Sequence, residues 1–311
     1  MNCRGEDVRL GLCCIFQDEP ISFRKTTAKS AKGRDLGAQM RMYQEIADHN
    51  ADSLGEAIQY CAHHSIGSFR VNSQILPLCT HPELGYEPTA IGGDTIERFR
   101  AVGRLAKAHD IRLTFHPDQF VVLSTPHTKV LSSSLKEIEY HAEVASWIGA
   151  DVINIHAGGG YGDKPAALAR FVRAWGRLSE RARALVTIEN DDRVFTPADL
   201  LPMCRDLQIP LVYDVHHHRC LNDGTSVEQV TDWAMDTWNR EPLFHVSSPK
   251  EGWHGKQPSR HHDFIHMRDY PRFWEGLHCT VEVEAKAKEV AIKKLQEALR
   301  ARRRRPQQKG T

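Results

Sequence analysis

Short apolar runs rich in β-branched and aromatic residues recur along the chain and read as buried strands: residues 8–15, 68–72, 111–115, 151–155, 184–188, 209–213, 243–247 and 279–284. Between them the apolar positions fall at helical spacing, over residues 36–49, 53–64, 94–109, 127–147, 165–182, 225–238 and from 285 onward. Thr196 is placed to cap a short helix before Cys204, and a second short helix fits residues 268–274. Residues 17–35 are too polar for core; they carry Arg24, Lys25, Lys29, Lys32 and Arg34 and read as a long basic loop. Residues 74–93, with Pro77, Pro82 and Pro88, read as another loop. Eight strands alternating with helices predict a single α/β domain, a (β/α)8 TIM barrel over residues 1–299, with a basic, flexible tail over 300–311. An open doubly wound sheet is the alternative; the absence of a Gly-rich dinucleotide fingerprint after the first strand counts against it.

The residues that end these strands carry the chemistry. The third strand ends in His116, the fourth in His156, the fifth in Glu189, the sixth in Asp214 and the eighth in Glu284, and the seventh contains His245. In a barrel the C-terminal ends of all strands meet on one face, where active sites are built. A single histidine at a strand end is more often structural than a ligand, but six such residues on six successive strands predict one shared pocket. The stretch PLVYDVHHH (210–218) is the densest case, read as a strand ending in Asp214 with His216, His217 and His218 on the loop that leaves it. Nitrogen and carboxylate donors suit zinc, manganese or magnesium. Two ions bridged by Glu189 would use the six strand-end residues; a third could draw on His217, His261 and Asp263. Clustered divalent ions activate water and offset the charge of a phosphate, so phosphodiester hydrolysis is the first reaction to expect and sugar isomerisation the second.

The remaining composition narrows this little. The chain has 311 residues, and its formal net charge of +1 requires a local basic patch for any nucleic-acid partner. No apolar run approaches the length of a membrane span and no signal-peptide pattern opens the chain, so a cytoplasmic protein without a membrane partner is expected. The eight cysteines, Cys3, Cys13, Cys14, Cys61, Cys79, Cys204, Cys220 and Cys279, form no C-x-x-C pair and read as free, mostly buried thiols.

The motifs TFHPDQF (114–120), INIHAGGGYG (153–162), IEND (188–191), YDVHH (213–217), HVSSP (245–249) and EAK (284–286) occur in the order seen in the UV damage endonuclease family, and the chain resembles that family from about Arg9 to Lys288. The resemblance implies a TIM barrel related to endonuclease IV that uses two or three divalent ions, manganese foremost with zinc or magnesium as alternatives. It implies nicking of damaged double-stranded DNA 5′ of a photoproduct or abasic site by a monomer. It assigns His116, His156 and Glu189 to one ion, Glu189, Asp214, His245 and Glu284 to a second, and His217 and His261 to a third. It implies catalytic roles for Glu189, His81 and Lys286, and DNA or lesion contacts at Gln119, Phe120, Asn72 and Tyr161. Gln119 and Phe120 match the pair that family members insert where damaged bases leave the stack. Family members commonly carry a tyrosine and an asparagine lining the lesion pocket where this chain has Leu12 and Phe16. Some carry a modified lysine where it has Leu243, so no carboxylated lysine is expected there. The alternatives are a small-molecule metalloenzyme of the xylose-isomerase-like barrel type and a non-catalytic DNA-binding protein with structural metals. A structural zinc site usually closes with four ligands, and the eight candidates here argue against the latter.

Overall fold

Eight parallel strands close on themselves in sequence order in the computed structural model, which describes residues 8–304. They are β1 (Arg9–Cys13), β2 (Ser68–Val71), β3 (Arg112–Phe115), β4 (Val152–His156), β5 (Val186–Glu189), β6 (Leu211–Asp214), β7 (Leu243–Val246) and β8 (Thr280–Val283). β8 returns to pair with β1, Leu10 opposite Val281, so no edge strand is left. This is the (β/α)8 barrel expected from the alternation. Strand residues such as Phe69, Phe115, Ile153 and Phe244 face the outer helices and join one continuous apolar core.

The inside of the barrel is stacked in levels. At its N-terminal end Arg112 holds Asp151 through Nε to Oδ1 at 2.9 Å and Nη2 to Oδ2 at 2.9 Å, and Arg9 pairs with Glu241 at 3.0 Å. Above this floor Val152, Val212 and Leu243 form a separate, fully buried apolar plug. Leu243 is therefore part of the plug, and no lysine chemistry is available at that position. Next comes a polar level of Arg70, Thr114, Asn154, Thr187 and Glu282, all buried. Gly11 belongs here by necessity: a Cβ on it would lie 3.0 Å from Cγ of Glu282 and 3.3 Å from Cβ of Ser68. The strand-end residues form the top level, at the mouth.

Several local expectations need correction. Residues 36–64 form one helix, Leu36–His63, with no break near residue 50. Asn50 and Ser53, which look like interruptions, are polar residues facing inward that bond to the neighbouring loop. The reverse happens over 165–182, where the helix Lys164–Trp175 stops and Ser179 caps a new one, Glu180–Leu185. The histidine run is helical rather than a loop: Asp214 caps Val215–Cys220 by accepting the His217 N–H at 2.8 Å. The short segment near 268–274 is a 3-10 turn, Arg272–Gly276. Thr196 caps Pro197–Leu207 as expected, in a reciprocal capping box with Asp199. The final helix, Lys288–Arg304, runs beyond residue 299, and Arg302 of the arginine run bonds Glu275; Arg305 and Cys3 lie outside the described residues. The described cysteines are free thiols. No described helix is long and apolar enough to cross a membrane.

Candidate metal centre

The polar ends of β3 to β8 converge on Glu189. Its Oε2 lies 3.1 Å from His116 Nε2 and 4.0 Å from His156 Nε2. Its Oε1 lies 3.2 Å from His245 Nδ1 and 3.3 Å from His217 Nδ1. Asp214 Oδ2 is 3.6 Å from His217 Nδ1, and Glu284 Oε1 is 3.5 Å from His245 Nδ1. His261 enters from the loop before β8, with Nδ1 3.6 Å from Glu284 Oε2. All eight candidate ligands thus share one pocket: the six strand-end residues as expected, with His217 and His261 joining from the segments after β6 and before β8.

Three trios bring donor atoms close enough to hold an ion: His116, His156 and Glu189; His116, His245 and Glu284; and Glu189, Asp214 and His217. The first is the trio expected. The other two divide the residues differently from the sequence reading, with His217 grouped with Asp214 and Glu189 because the capped helical turn swings it back over the strand end. His261 belongs to none of the three trios.

The donor set fits divalent cations. Glu189 Oε1, Asp214 Oδ2, His156 Nδ1 and His245 Nδ1 are buried and have no hydrogen-bond partner. Buried polar atoms are rarely left so, and orphans grouped in one pocket point to a missing ligand. Three carboxylates and five imidazoles offer the mixture of hard oxygen and nitrogen donors that zinc and manganese accept. Electrostatics agree. Burial alone would push the Glu189 carboxyl up, but His245, His156, a hydrogen bond from His116 and the nearby His217 imidazole hold it well below the ordinary range. Burial would lower the His245 imidazole; Glu189 overrides this and raises it to about 10. In His217 the same contest, with Asp214 and Glu189 opposing burial, ends well above the ordinary value. Protons hold the places that cations would take.

The level below fixes the ligands. Asn154 Nδ2 donates to Glu189 Oε2 at 2.5 Å, and Thr187 Oγ1 donates to Asn154 Oδ1 at 3.1 Å. Asn190 Nδ2 donates to the Asp214 carbonyl at 2.9 Å and its Oδ1 accepts the Asp214 N–H at 3.0 Å. Glu282 accepts from Arg70 Nε at 2.5 Å and from Thr114 Oγ1 at 2.5 Å, and lies 3.2 Å from His245 Nε2. A carboxylate behind a ligating imidazole orients the ring, here turning His245 Nδ1 toward Glu189. Arg70 Nη2 also reaches Glu284 Oε1 at 2.7 Å. Arg70, Asn154 and Glu282 were missed by sequence reasoning. Their signal was available: each lies two residues before a strand-end residue, on the same inward face.

The remaining site expectations divide. Phe120 is 75% exposed and Gln119 is exposed beside it, so the pair projects from the rim and Phe120 is not core. Tyr161 is half-exposed at the rim, in a left-handed conformation (φ 50°), with the Arg170 guanidinium 5.4 Å from its ring. Asn72 is buried and its Oδ1 accepts the Gln74 N–H at 2.9 Å, which shapes the loop after β2. His81 stands outside all three trios; its Nδ1 accepts the N–H groups of Glu83 and Leu84, both at 3.2 Å. The Lys286 side chain is exposed while its backbone N–H bonds the His262 carbonyl at 3.0 Å. Leu12 and Phe16 do not line the pocket. Leu12 is fully buried in the helix-facing core, and Phe16 packs against Phe69 and Tyr60, with ring centroids 6.0 and 5.1 Å away.

Comparison with known proteins places this geometry. Residues 8–307 match the family described as UV-endonuclease UvdE. A UV DNA damage endonuclease from Bacillus thuringiensis subsp. konkukian (strain 97-27) is 31% identical over 262 residues, covering 80% of each chain. One from Bacillus cereus (strain B4264) is 32% identical over 275 residues, covering 84% of each. The crystal structure of SacUVDE superposes with a TM-score of 0.84 at 26% identity, over 95% of this chain and 99% of that one. Endonuclease IV from Thermus thermophilus, at 13% identity and a TM-score of 0.60 over 94% of this chain and 98% of that one, shares the fold. The chain belongs to the UV-endonuclease UvdE family and is a DNA repair endonuclease.

Proposed function

We propose that the protein nicks double-stranded DNA immediately 5′ of a UV photoproduct or an abasic site, using two or three divalent ions, manganese foremost, held by His116, His156, Glu189, Asp214, His217, His245, His261 and Glu284. The observation that carries this reading is the convergence of these donors on Glu189, with four buried donor atoms that make no hydrogen bond. Such ions, when bound, supply an activated water and offset the charge that develops on the phosphate. The chain's own residues orient and position. Glu189 presents one oxygen to His116 and the other to His245 and His217, which suits a bridging ligand. Asn154 and Asn190 keep Glu189 and Asp214 from rotating away. Gln119 and Phe120 enter the duplex at the lesion, where an aromatic ring fills the gap left by unstacked bases. A photoproduct or abasic site is cheaper to open than a normal pair, and this supplies part of the selectivity. An aromatic that is 75% exposed at the rim is placed to meet a duplex, which favours the DNA reading. His81 lines a cavity with Asp118 and Phe120, on the lesion side of the mouth rather than among the ligands. Lys286 remains a candidate catalytic residue, with its exposed ammonium able to meet a phosphate.

The direct test is a nicking assay with Mn²⁺ on three duplexes carrying a photoproduct, an abasic site or no lesion. Cleavage 5′ of either lesion, abolished by chelation, is the expected result. Equal cleavage of the undamaged duplex, or undiminished cleavage after complete metal removal, would overturn the proposal.

A further inference from the structure

The basic loop over residues 17–35 leaves β1 at the mouth of the barrel, and side chains hold its backbone in place where no sheet does. Buried Glu289 accepts the N–H groups of Gln17 at 2.8 Å and Asp18 at 2.7 Å. Buried Asn50 accepts the Arg24 N–H at 2.7 Å and donates to the carbonyls of Arg24 at 3.0 Å and Ile75 at 2.9 Å. Ser53 Oγ donates to the Ser22 carbonyl at 2.8 Å, and His49 Nε2 lies 3.1 Å from the same oxygen. Apolar residues add to this: Phe23 stacks on Phe69 with centroids 6.2 Å apart, and Ala31 is fully buried. Thr27 caps the turn Ala28–Ala31.

With the backbone and apolar side chains fixed inward, Arg24, Lys25 and Lys29 are left exposed, and they make no ion pair among the described residues. Lys32 is paired with Glu83 at 2.9 Å. Thr26, in the middle of this cationic stretch, lines a cavity of about 430 Å³ together with Gln74, His81, Asp118 and Phe120. Thr26 thus places the middle of this cationic stretch on the Phe120 side of the mouth. An unanchored loop would have to be ordered on binding, at a cost in conformational entropy for every residue fixed. Here that ordering is built into the free protein.

We propose that residues 21–30 form a pre-ordered strap that grips the phosphate backbone of duplex DNA beside Phe120, with Arg24, Lys25 and Lys29 as the phosphate contacts and Glu289 and Asn50 as positioning residues. The inference rests on the DNA reading above and adds where the duplex is held. Removing charges and loosening anchors have different signatures. Each phosphate contact contributes about 0.9 to the slope of log affinity against log salt, so replacing all three cations lowers the slope by about 2.7. Loosening the strap leaves the charges in place and changes affinity at constant slope.

The test is fluorescence anisotropy on an undamaged labelled duplex, with full-length protein and Mn²⁺, across a salt series. The R24A/K25A/K29A variant is expected to lose a slope of about two or more and at least about tenfold in affinity near 0.1 M salt, with metal content and Tm unchanged. The Glu289→Gln variant keeps one acceptor and turns an amide donor toward the other N–H group. Hydrogen exchange over residues 17–24 is expected to quicken at least about tenfold and affinity to fall severalfold at the wild-type slope. An unchanged slope in the triple variant overturns the strap while leaving the endonuclease reading intact. Faster exchange without loss of affinity in Glu289→Gln overturns the positioning role. A wild-type protein whose duplex binding ignores salt overturns the strap and the DNA reading together.

Discussion

The two ends of this barrel both gather charge, and they treat it in opposite ways. At the floor Arg112 bonds both oxygens of Asp151 and also the Thr280 hydroxyl at 3.1 Å, while Arg9 meets Glu241 and Asp110. At the mouth Glu189, Asp214, His156 and His245 each keep a buried atom that makes no hydrogen bond. The floor closes on itself and acts as structure. The mouth has fixed its ligands from behind, through Asn154, Asn190, Arg70 and Glu282, while leaving their front faces open. Unsatisfied polar atoms held rigid by satisfied neighbours mark the end of the barrel meant for a ligand.

The sharpest way to break the comparison is at Glu189. Glu189→Gln keeps the shape and removes the anion between neighbouring cations, so metal content is expected to fall and the nicking rate to drop by about three or more orders of magnitude. Metal content, Tm and rate measured on one preparation separate this from unfolding; a folded variant with full metal and wild-type rate would remove Glu189 from the mechanism. The floor predicts the opposite profile. Arg112→Met leaves Asp151 only the longer contact to Arg240, 3.9 Å away, and is expected to destabilise folding by about 2 kcal/mol, since Asp151 is partly exposed and keeps some hydration. Its metal content and its rate per folded molecule should match wild type, as checked by denaturant unfolding and metal analysis.

Proton dependence sharpens the contrast further. Glu189 raises His245 to about 10 against burial, so the metal-free protein gains stability from this imidazolium in full below its unfolded value. That gain is lost as pH rises through about 10. Metal binding has the reverse sign, because the ion must displace the proton. Affinity for Mn²⁺ is expected to tighten by up to about tenfold per pH unit for each proton released, between about pH 6 and 8. Calorimetry in buffers of different ionisation enthalpy counts those protons, and binding with no proton release would show that His245 is not a ligand. The smallest effect belongs to the rim. Phe120→Ala should change stability by no more than about 0.5 kcal/mol, because the ring is 75% exposed, yet lower kcat/KM on lesion DNA about fivefold. Equal kinetics for variant and wild type on all lesions would take Phe120 out of lesion handling.

What the sequence by itself determined is the repeating unit and its chemistry. A short apolar run has only one way to sit in a parallel barrel, and a His, Glu or Asp at its end must emerge at the mouth. His116, His156, Glu189, Asp214 and Glu284 were legible for that reason, and the motifs around them identify the family. The tertiary structure decided everything that depends on which face a residue takes and who stands behind it. Strands buried on both sides carry little visible alternation, so only a count back from the strand ends marks Arg70 and Glu282 as interior, and the apolar run itself does not mark Leu12 as outward-facing. A capped turn of helix, invisible in a run of three histidines, brought His217 beside Asp214 and Glu189. Asn50 and Glu289 look like ordinary helix residues until the loop they hold is folded over them, because a side chain that bonds backbone elsewhere in the chain leaves no local pattern.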